Sequence, residues 1–190
     1  MKTVTYKEFL AFDPSWFGRE GEAERLKAHF ERFGGNMSAL DILNLDAISA
    51  EDKLWAVLRE EFIPAPILHE FACVCAEYAL SLLGNPDPRS VKAIETKRAW
   101  LRGEATGREL DAASDDAWKA AWEAIWEDRE SARAAAWAAR ATARAAARAA
   151  ACYASEAAWE AARGDSRDAA SDAAREAQIA YLIMTLEEEK

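Results

Sequence analysis

Apolar residues recur three and four positions apart along most of the chain, and this spacing predicts a series of amphipathic helices. The stretch "GEAERLKAHFERFGG" is the first clear example, and it ends at Gly34 and Gly35, a pair that terminates helices. Its apolar stripe is predicted to comprise Ala23, Leu26, Phe30 and Phe33. The following "SALDILNLDAI" predicts a short apolar helix or turn.

Helix-capping residues mark the next elements. Ser49 is placed to cap "SAEDKLWAVLREEF", and Asp87 with Pro88 opens "DPRSVKAIETKRAWLRG", which ends at Gly103. Between them, "IPAPILHEFACVCAEYALSLLG" keeps helical apolar spacing until Gly84. The residues that this spacing turns inward are Leu68, Phe71, Ala72, Cys75, Ala79 and Leu82.

The longest predicted helical tract begins at Thr106, which forms a capping box with Glu109. No glycine or proline occurs from 108 to 163. A single helix of that length would reach about 85 Å, too long for a compact domain of this size. We therefore expect a break in the charged segment Glu127–Ser131, where Asp128 is placed to cap a new helix. A last helix follows "RGDS" and leads into the acidic "EEEK".

These elements predict an all-α fold, because no strand pattern is present. We expect a multi-helix bundle with closely packed, alanine-rich antiparallel helices in the C-terminal half, since alanine faces let helices approach closely and tryptophans fill the remaining gaps. The chain is predicted to form a single helical domain, 1–190. Its parts are an N-terminal helical elaboration (1–48), a motif region (49–105) and the Ala/Trp/Arg-rich helices (106–190).

Composition narrows the function. The net charge of −10 and the pI of about 4.8 argue against binding to bulk nucleic acid or to an anionic membrane. No apolar segment is long enough to span a bilayer, and the first residues lack the features of a signal peptide. The three cysteines, Cys73, Cys75 and Cys152, suggest reduced thiols. We expect a cytoplasmic protein.

An arginine row is the first candidate site. No acidic residue occurs from 131 to 155, and the row falls within about 100° on a helical wheel. Its members are Arg129, Arg133, Arg140, Arg144 and Arg148. Such a row suits phosphate, carboxylate or an acidic protein face. The alternative, which we favour slightly, is internal pairing with an acidic row on the last helix. That row comprises Asp165, Asp168, Asp172 and Glu176.

A tryptophan series is the second candidate. Trp118, Trp122 and Trp126 are spaced four residues apart and share one face, with Trp137 near the same side if the helix continues. Such rings can stack a nucleobase or act as the hot spot of a protein interface. The alternative is that they form the core of the alanine-walled bundle. We favour the core, with one or two rings left partly exposed.

Catalytic and metal sites find little support. In "LHEFACVC", His69 and Cys73 are one helical turn apart, but Cys75 points away from them and no second ligand pair has zinc spacing. Buried cysteines explain this segment better. The two histidines belong to no nucleophilic constellation, and no phosphate-binding loop or metalloprotease motif is present. We expect a protein that is not an enzyme and that holds no metal and no cofactor.

Two motifs carry a family resemblance. The runs "DKLWAVLREEFIPAPILHEFACVCAEYAL" and "NPDPRSVKAIETKRAWLRGEAT", followed by alanine helices with Trp and Arg, resemble a family of bacterial and phage immunity proteins. The resemblance extends from about residue 53 to the C-terminus. It implies a small helical protein that neutralises a toxin or a defence component by binding it. In the second motif, Arg98, Trp100 and Arg102 are the candidate binding residues.

Three hypotheses of function remain. The leading one is a non-catalytic binding protein that inhibits a protein toxin or defence component in bacterial toxin immunity or phage–host conflict. An alternative is a sponge that sequesters a small anionic nucleotide, with the tryptophans stacking the base and the arginines holding the phosphates. A third is a self-associating helical bundle whose tryptophans lie at a homo-oligomer interface.

Overall fold

The computed structural model describes residues 2–12, 22–46, 48–81, 85–127 and 171–189, and this part of the chain is mostly helical. The strands are β1 (Thr3–Thr5) and β2 (Asn36–Ser38). The helices are α1 (Tyr6–Leu10), α2 (Glu22–Arg32), α3 (Ala39–Leu43), α4 (Ala50–Val57), α5 (Ala65–Ser81), α6 (Pro88–Leu101), α7 (Gly107–Glu127) and α8 (Ser171–Glu188). The predicted helical fold class is thereby confirmed.

The expectation that no strand would occur is wrong. β1 and β2 form an antiparallel ribbon in which Thr3 is opposite Ser38 and Val4 is opposite Met37. Val4 and Met37 are buried, so the ribbon contributes to the core. Strands of three residues are too short to show the alternating pattern by which strands are predicted. Two glycines with positive φ, 73° and 90°, turn the chain from α2 into β2.

Local capping chemistry begins and ends the central helices as predicted. The Ser49 side chain accepts a hydrogen bond from the Asp52 N–H at the start of α4, and Asp87 caps α6 with proline in the first turn. Gly103, with a φ of 75°, follows the end of α6. Thr106 and Glu109 form the predicted capping box at the start of α7.

The large core is built by the elements from β1 to α5 together with Ile94 of α6 and with α8. Leu68, Phe71, Ala72 and Cys75 of α5 are buried in it, as the spacing predicts. In α2, the inward placement is confirmed for Leu26 and Phe30, but it is wrong for the second predicted aromatic, which is 42% exposed. That residue, Phe33, lies just beyond the last helical turn, where the chain turns away towards β2.

A smaller core joins α6 to α7. Three of its four buried residues are alanines. The four are Ala93 of α6 and Leu110, Ala113 and Ala117 of α7, and Trp100 packs against them. The predicted close packing of alanine-bearing helices in the C-terminal half is therefore present between α6 and α7. An ion pair between Arg89 of α6 and Glu123 of α7, with an N–O distance of 2.6 Å, joins the two helices at one end.

Three side chains from the two resemblance motifs meet between α5 and α6. The Nζ atom of Lys97 lies 4.4 Å from the centroid of the Trp100 ring. The ring of His69 stands perpendicular to that of Trp100, with the centroids 5.9 Å apart. Lys97 is fully buried and His69 is almost so. Within the described residues, the Nδ1 atom of His69 has no hydrogen-bond partner.

Burial controls the ionisation of this cluster. It lowers the pKa of Lys97 to about 8. Burial also lowers the pKa of His69 to about 4, with a smaller contribution from the charge of Lys97. The thiol of Cys73 has its pKa raised to about 12, again chiefly by burial. Cys73 and Cys75 are both buried and neither forms a disulfide, as predicted. Such a thiol is inert at neutral pH, because the reactive thiolate is scarcely populated.

Two classes of feature are absent from the described part of the chain. It contains no group of three or more His, Cys, Asp or Glu residues arranged to hold a metal ion. None of its helices combines the length and the apolarity that crossing a membrane requires.

We predict that His69 makes the fold sensitive to acid. The unfolded chain takes up a proton near pH 6.5 and the folded chain only near pH 4, so the free energy of unfolding falls as the pH drops through this interval. The loss approaches about 3 kcal/mol. His69→Phe, which keeps a ring against Trp100, should reduce the loss of stability measured by urea unfolding between pH 7 and pH 4.5. An equal loss in wild type and variant contradicts the prediction, and His29→Gln on α2 is the matched control.

We predict the opposite pH range for Lys97. Its folded pKa of about 8 lies below the unfolded value of 10.5, so the unfolded chain binds more protons between them and stability rises with pH there. The gain approaches about 3 kcal/mol. Wild type should therefore gain stability relative to Lys97→Met between pH 7.5 and pH 10, measured by urea unfolding of both proteins. Parallel pH profiles of the two proteins would show that Lys97 does not titrate in this range.

Candidate functional site

Helix α7 has a buried face and an outward face of different chemistry. Its inward residues are Leu110, Ala113, Ala117 and Ala120. Its outward face carries four exposed residues at spacings of four, three and four, which places them in one stripe along the helix. We call this stripe the α7 seam; it comprises Asp111, Asp115, Trp118 and Trp122. The first two turns of the seam are acidic and the last two are aromatic.

The two tryptophans of the seam contact each other edge to face. Their ring centroids are 6.1 Å apart and the ring planes are inclined at 74°. Trp118 is 36% exposed and Trp122 is 50% exposed, although tryptophans are usually well buried. The favoured prediction of a core position is therefore wrong for both residues, whereas the accompanying expectation that one or two rings are left partly exposed is confirmed. The inward positions of α7 carry Leu110, Ala113, Ala117 and Ala120, and both indole rings project from the other side of the helix.

The acidic half of the seam is not neutralised by ion pairs within the described residues. Within the described residues, neither Asp111 nor Asp115 forms an ion pair, whereas other acids of the same helix are paired. Lys119 lies one turn beyond both Asp115 and Asp116 and pairs with Asp116, at an N–O distance of 3.1 Å. Glu123 is held by Arg89. The seam thus presents two carboxylates beside an exposed aromatic pair.

A cavity of about 460 Å³ lies between α6 and α7, on a different side of α7 from the seam. Its floor includes Ala99 and Ala112, and its walls carry Lys92 of α6 and Glu109 and Asp116 of α7. Both charge signs line this cavity, so it selects neither anions nor cations. Glu109 is also engaged in the cap of α7.

The candidate residues of the second motif have partners inside the molecule. Arg98 donates hydrogen bonds to Glu70 at 2.7 and 2.8 Å and to Glu77 at 2.9 Å, and it thereby ties α6 to α5. Hydrogen bonds with Glu77 and then Glu70 raise the pKa of Arg98. Arg102 is exposed and pairs with Glu104 at 2.7 Å. Trp100 is half-buried against His69 and Lys97, as described above. The structure brings Arg98 and Trp100 to the α5–α6 contact and leaves Arg102 in an exposed pair just after α6, so none of the three lies on the α7 seam.

The arginine row lies outside the described residues. This applies to Arg129, Arg133, Arg140, Arg144 and Arg148, and its internal pairing therefore stays a prediction. The same holds for Trp137, for the side chain of Trp126 and for the predicted helix break, since α7 is described as far as Glu127.

The fold and this surface define a mostly helical protein with an exposed acidic and aromatic face on one helix. A family model described as "Imm-5 like putative immunity protein" matches residues 66–185, which is more than half of the chain. The chain belongs to this immunity-protein family, and the predicted resemblance is confirmed. No curated protein and no solved structure matches the chain. The matched region begins in α5 and ends in α8. It therefore includes α6, which contributes to both cores, and the α7 seam.

We predict that Arg98 stabilises the folded protein. Arg98→Ala leaves Glu70 and Glu77 without their cation and removes a link between α5 and α6. Because these groups are partly exposed, the free energy of unfolding at pH 7 should fall by about 1–2 kcal/mol. Arg102→Ala is the matched control, and its exposed pair should contribute less than about 0.5 kcal/mol. Equal stability of the two variants in urea unfolding would refute the structural role.

Proposed function

We propose that this protein neutralises a protein partner by binding it through the α7 seam, as a non-catalytic immunity protein. The partner is a toxin or a defence component in conflict between bacteria or between a bacterium and a phage. Membership of the immunity-protein family supports the general role. The observation that carries the choice of surface is the exposed, edge-to-face Trp118–Trp122 pair beside two carboxylates that have no ion pair within the described residues.

Exposed tryptophans suit a binding role for an energetic reason. An indole ring offers a large apolar area with few rotatable bonds, so little side-chain entropy is lost when a partner covers it. The contact between the rings of Trp118 and Trp122 holds them in place before binding. Tryptophan is also enriched among the residues whose replacement by alanine weakens protein–protein binding by about 2 kcal/mol or more.

Charge favours a basic partner. The chain carries a net charge of −10, and Asp111 and Asp115 place two carboxylates beside the aromatic pair. Complementary charge accelerates association of a positively charged protein and gives it an advantage over acidic competitors. A second copy of this chain would bring two strongly acidic molecules together, so the self-associating bundle is less well supported than binding to a different protein.

The nucleotide-sponge alternative is less well supported by the described residues. A nucleotide site needs cations close to the stacking rings. The two residues that precede the tryptophans along the seam are instead Asp111 and Asp115, which repel phosphate. Lys119, the nearest lysine on this helix, is paired with Asp116. The arginine row that this alternative requires lies outside the described residues.

We predict that Trp118→Ala/Trp122→Ala abolishes neutralisation while the protein still folds. The full-length protein is co-expressed with a panel of bacterial toxin domains, and growth of the host and the Kd of each purified pair are measured. Wild type should restore growth against a cognate toxin. The double variant should bind it at least about 30-fold more weakly, equivalent to about 2 kcal/mol. Its own stability should fall by less than about 1.5 kcal/mol, since both side chains are exposed and neither belongs to a buried cluster.

The matched control is Tyr78→Ala, which removes a 40% exposed aromatic from α5 and should leave neutralisation intact. Full protection by the double tryptophan variant would exclude the α7 seam as the binding surface. Protection by wild type without a stable complex would exclude neutralisation by binding.

A further inference from the structure

The spacing of the α7 seam matches that of a helix–helix contact. Positions 111, 115, 118 and 122 follow one another at intervals of four, three and four residues, an average period of about 3.5 to 3.7. This is the period at which a second helix, lying nearly parallel or antiparallel, meets the same face over several turns. The stripe is about 16 Å long at 1.5 Å per residue, enough to contact three turns of a partner helix.

The chemistry of the seam changes along its length. Asp111 and Asp115 occupy its first half and the tryptophan pair occupies its second half. Two like charges one turn apart disfavour the isolated helix slightly. Their neighbours Asp116 and Glu123 are already paired with Lys119 and Arg89. The two seam carboxylates are therefore the acids of this face that a partner's cations are best placed to pair with.

We infer that the α7 seam binds an amphipathic helix of the partner, whose apolar side chains cover Trp118 and Trp122 and whose lysine or arginine side chains pair with Asp111 and Asp115. This inference rests on the proposed function and specifies the docking element. A helix satisfies its own backbone hydrogen bonds, so it can cover an indole pair without adding unpaired backbone groups to the interface. An extended strand would instead need an exposed sheet edge as its partner, which α7 does not offer.

Charge-reversal of the seam tests this inference on the full-length protein. The probes are three synthetic peptides of equal length. The first is an amphipathic helix of leucine and lysine, the second replaces every lysine with glutamate, and the third has the composition of the first in an order that destroys its apolar stripe. Binding is measured by calorimetry with wild type, with Asp111→Lys/Asp115→Lys, and with Glu187→Lys/Glu188→Lys. The last variant has the same net charge as the seam variant but is altered on α8, where both glutamates are exposed.

The expected result is selective in both directions. Wild type and the α8 variant should bind the basic amphipathic peptide with a Kd at least about tenfold lower than that for the scrambled peptide. The seam variant should lose this affinity by a similar factor and should bind the glutamate peptide in its place. Circular dichroism of the mixtures should show the bound peptide as helical, and Trp118→Ala/Trp122→Ala should weaken the binding of the basic peptide.

Four outcomes would overturn the inference. Equal binding of the scrambled peptide would mean that only charge is recognised. An equal loss in the α8 variant would mean that the acidity is used diffusely, and not at the seam. A homodimer, seen by light scattering and dissociated by the tryptophan substitutions, would make a second copy the occupant. Failure of the peptides together with loss of toxin protection in Trp118→Ala/Trp122→Ala would leave the proposed function standing and remove only the helical docking element.

Discussion

The alanine contact between α6 and α7 determines which face of α7 stays exposed. Ala93, Ala113 and Ala117 let the two helices pack closely, with Leu110 and Trp100 completing the contact. The indole rings of Trp118 and Trp122 project from the opposite side of α7. Mostly small inward residues and large outward rings therefore give one helix two faces of different chemistry.

The family motifs supply the scaffold on which this helix is mounted. Lys97 and Arg98 are adjacent in α6, yet one is buried beneath Trp100 and the other reaches the carboxylates of Glu70 and Glu77 on α5. Arg98 links α6 to α5 at the surface, and the edge-to-face contact of Trp100 with His69 links the two helices in the interior. α6 in turn holds α7 through the alanine core and through Arg89. The orientation of the α7 seam therefore depends on residues that lie outside it.

Local signals in the sequence were sufficient for the helices but not for all that surrounds them. Ser49, Asp87 and Thr106 were predicted as caps because a capping bond involves residues within three positions of each other. The capping box of Ser38 with Asp41 was not predicted, although its spacing is the same, because it follows a strand that was itself not predicted. The β1–β2 ribbon depends on contact between residues more than thirty positions apart, which periodicity does not report.

The proposed binding surface was predictable from the sequence only in part. The tryptophan spacing identifies Trp118 and Trp122 as candidates, but the choice between core and surface depends on which face of α7 meets α6. The segment "DAASDDAWKAAW" places Asp111 and Asp115 on the same stripe as the two tryptophans, so the acidic half of the face is predictable from the spacing. What the spacing alone does not reveal is that Lys119 pairs with Asp116 and leaves Asp115 available.

Separation of the seam from both cores has a consequence for specificity. None of the four seam residues belongs to either buried cluster, so substitutions there change binding chemistry with little effect on the packing that maintains the fold. By contrast, Arg98, Lys97 and His69 are constrained by the partners they meet between α5 and α6. A protein that must match one partner and reject others benefits from this division, because discrimination depends on the difference between two affinities. Charge and aromatic content along a single helix face are then sufficient variables to set that difference, while α5, α6 and the alanine contact keep the face in place.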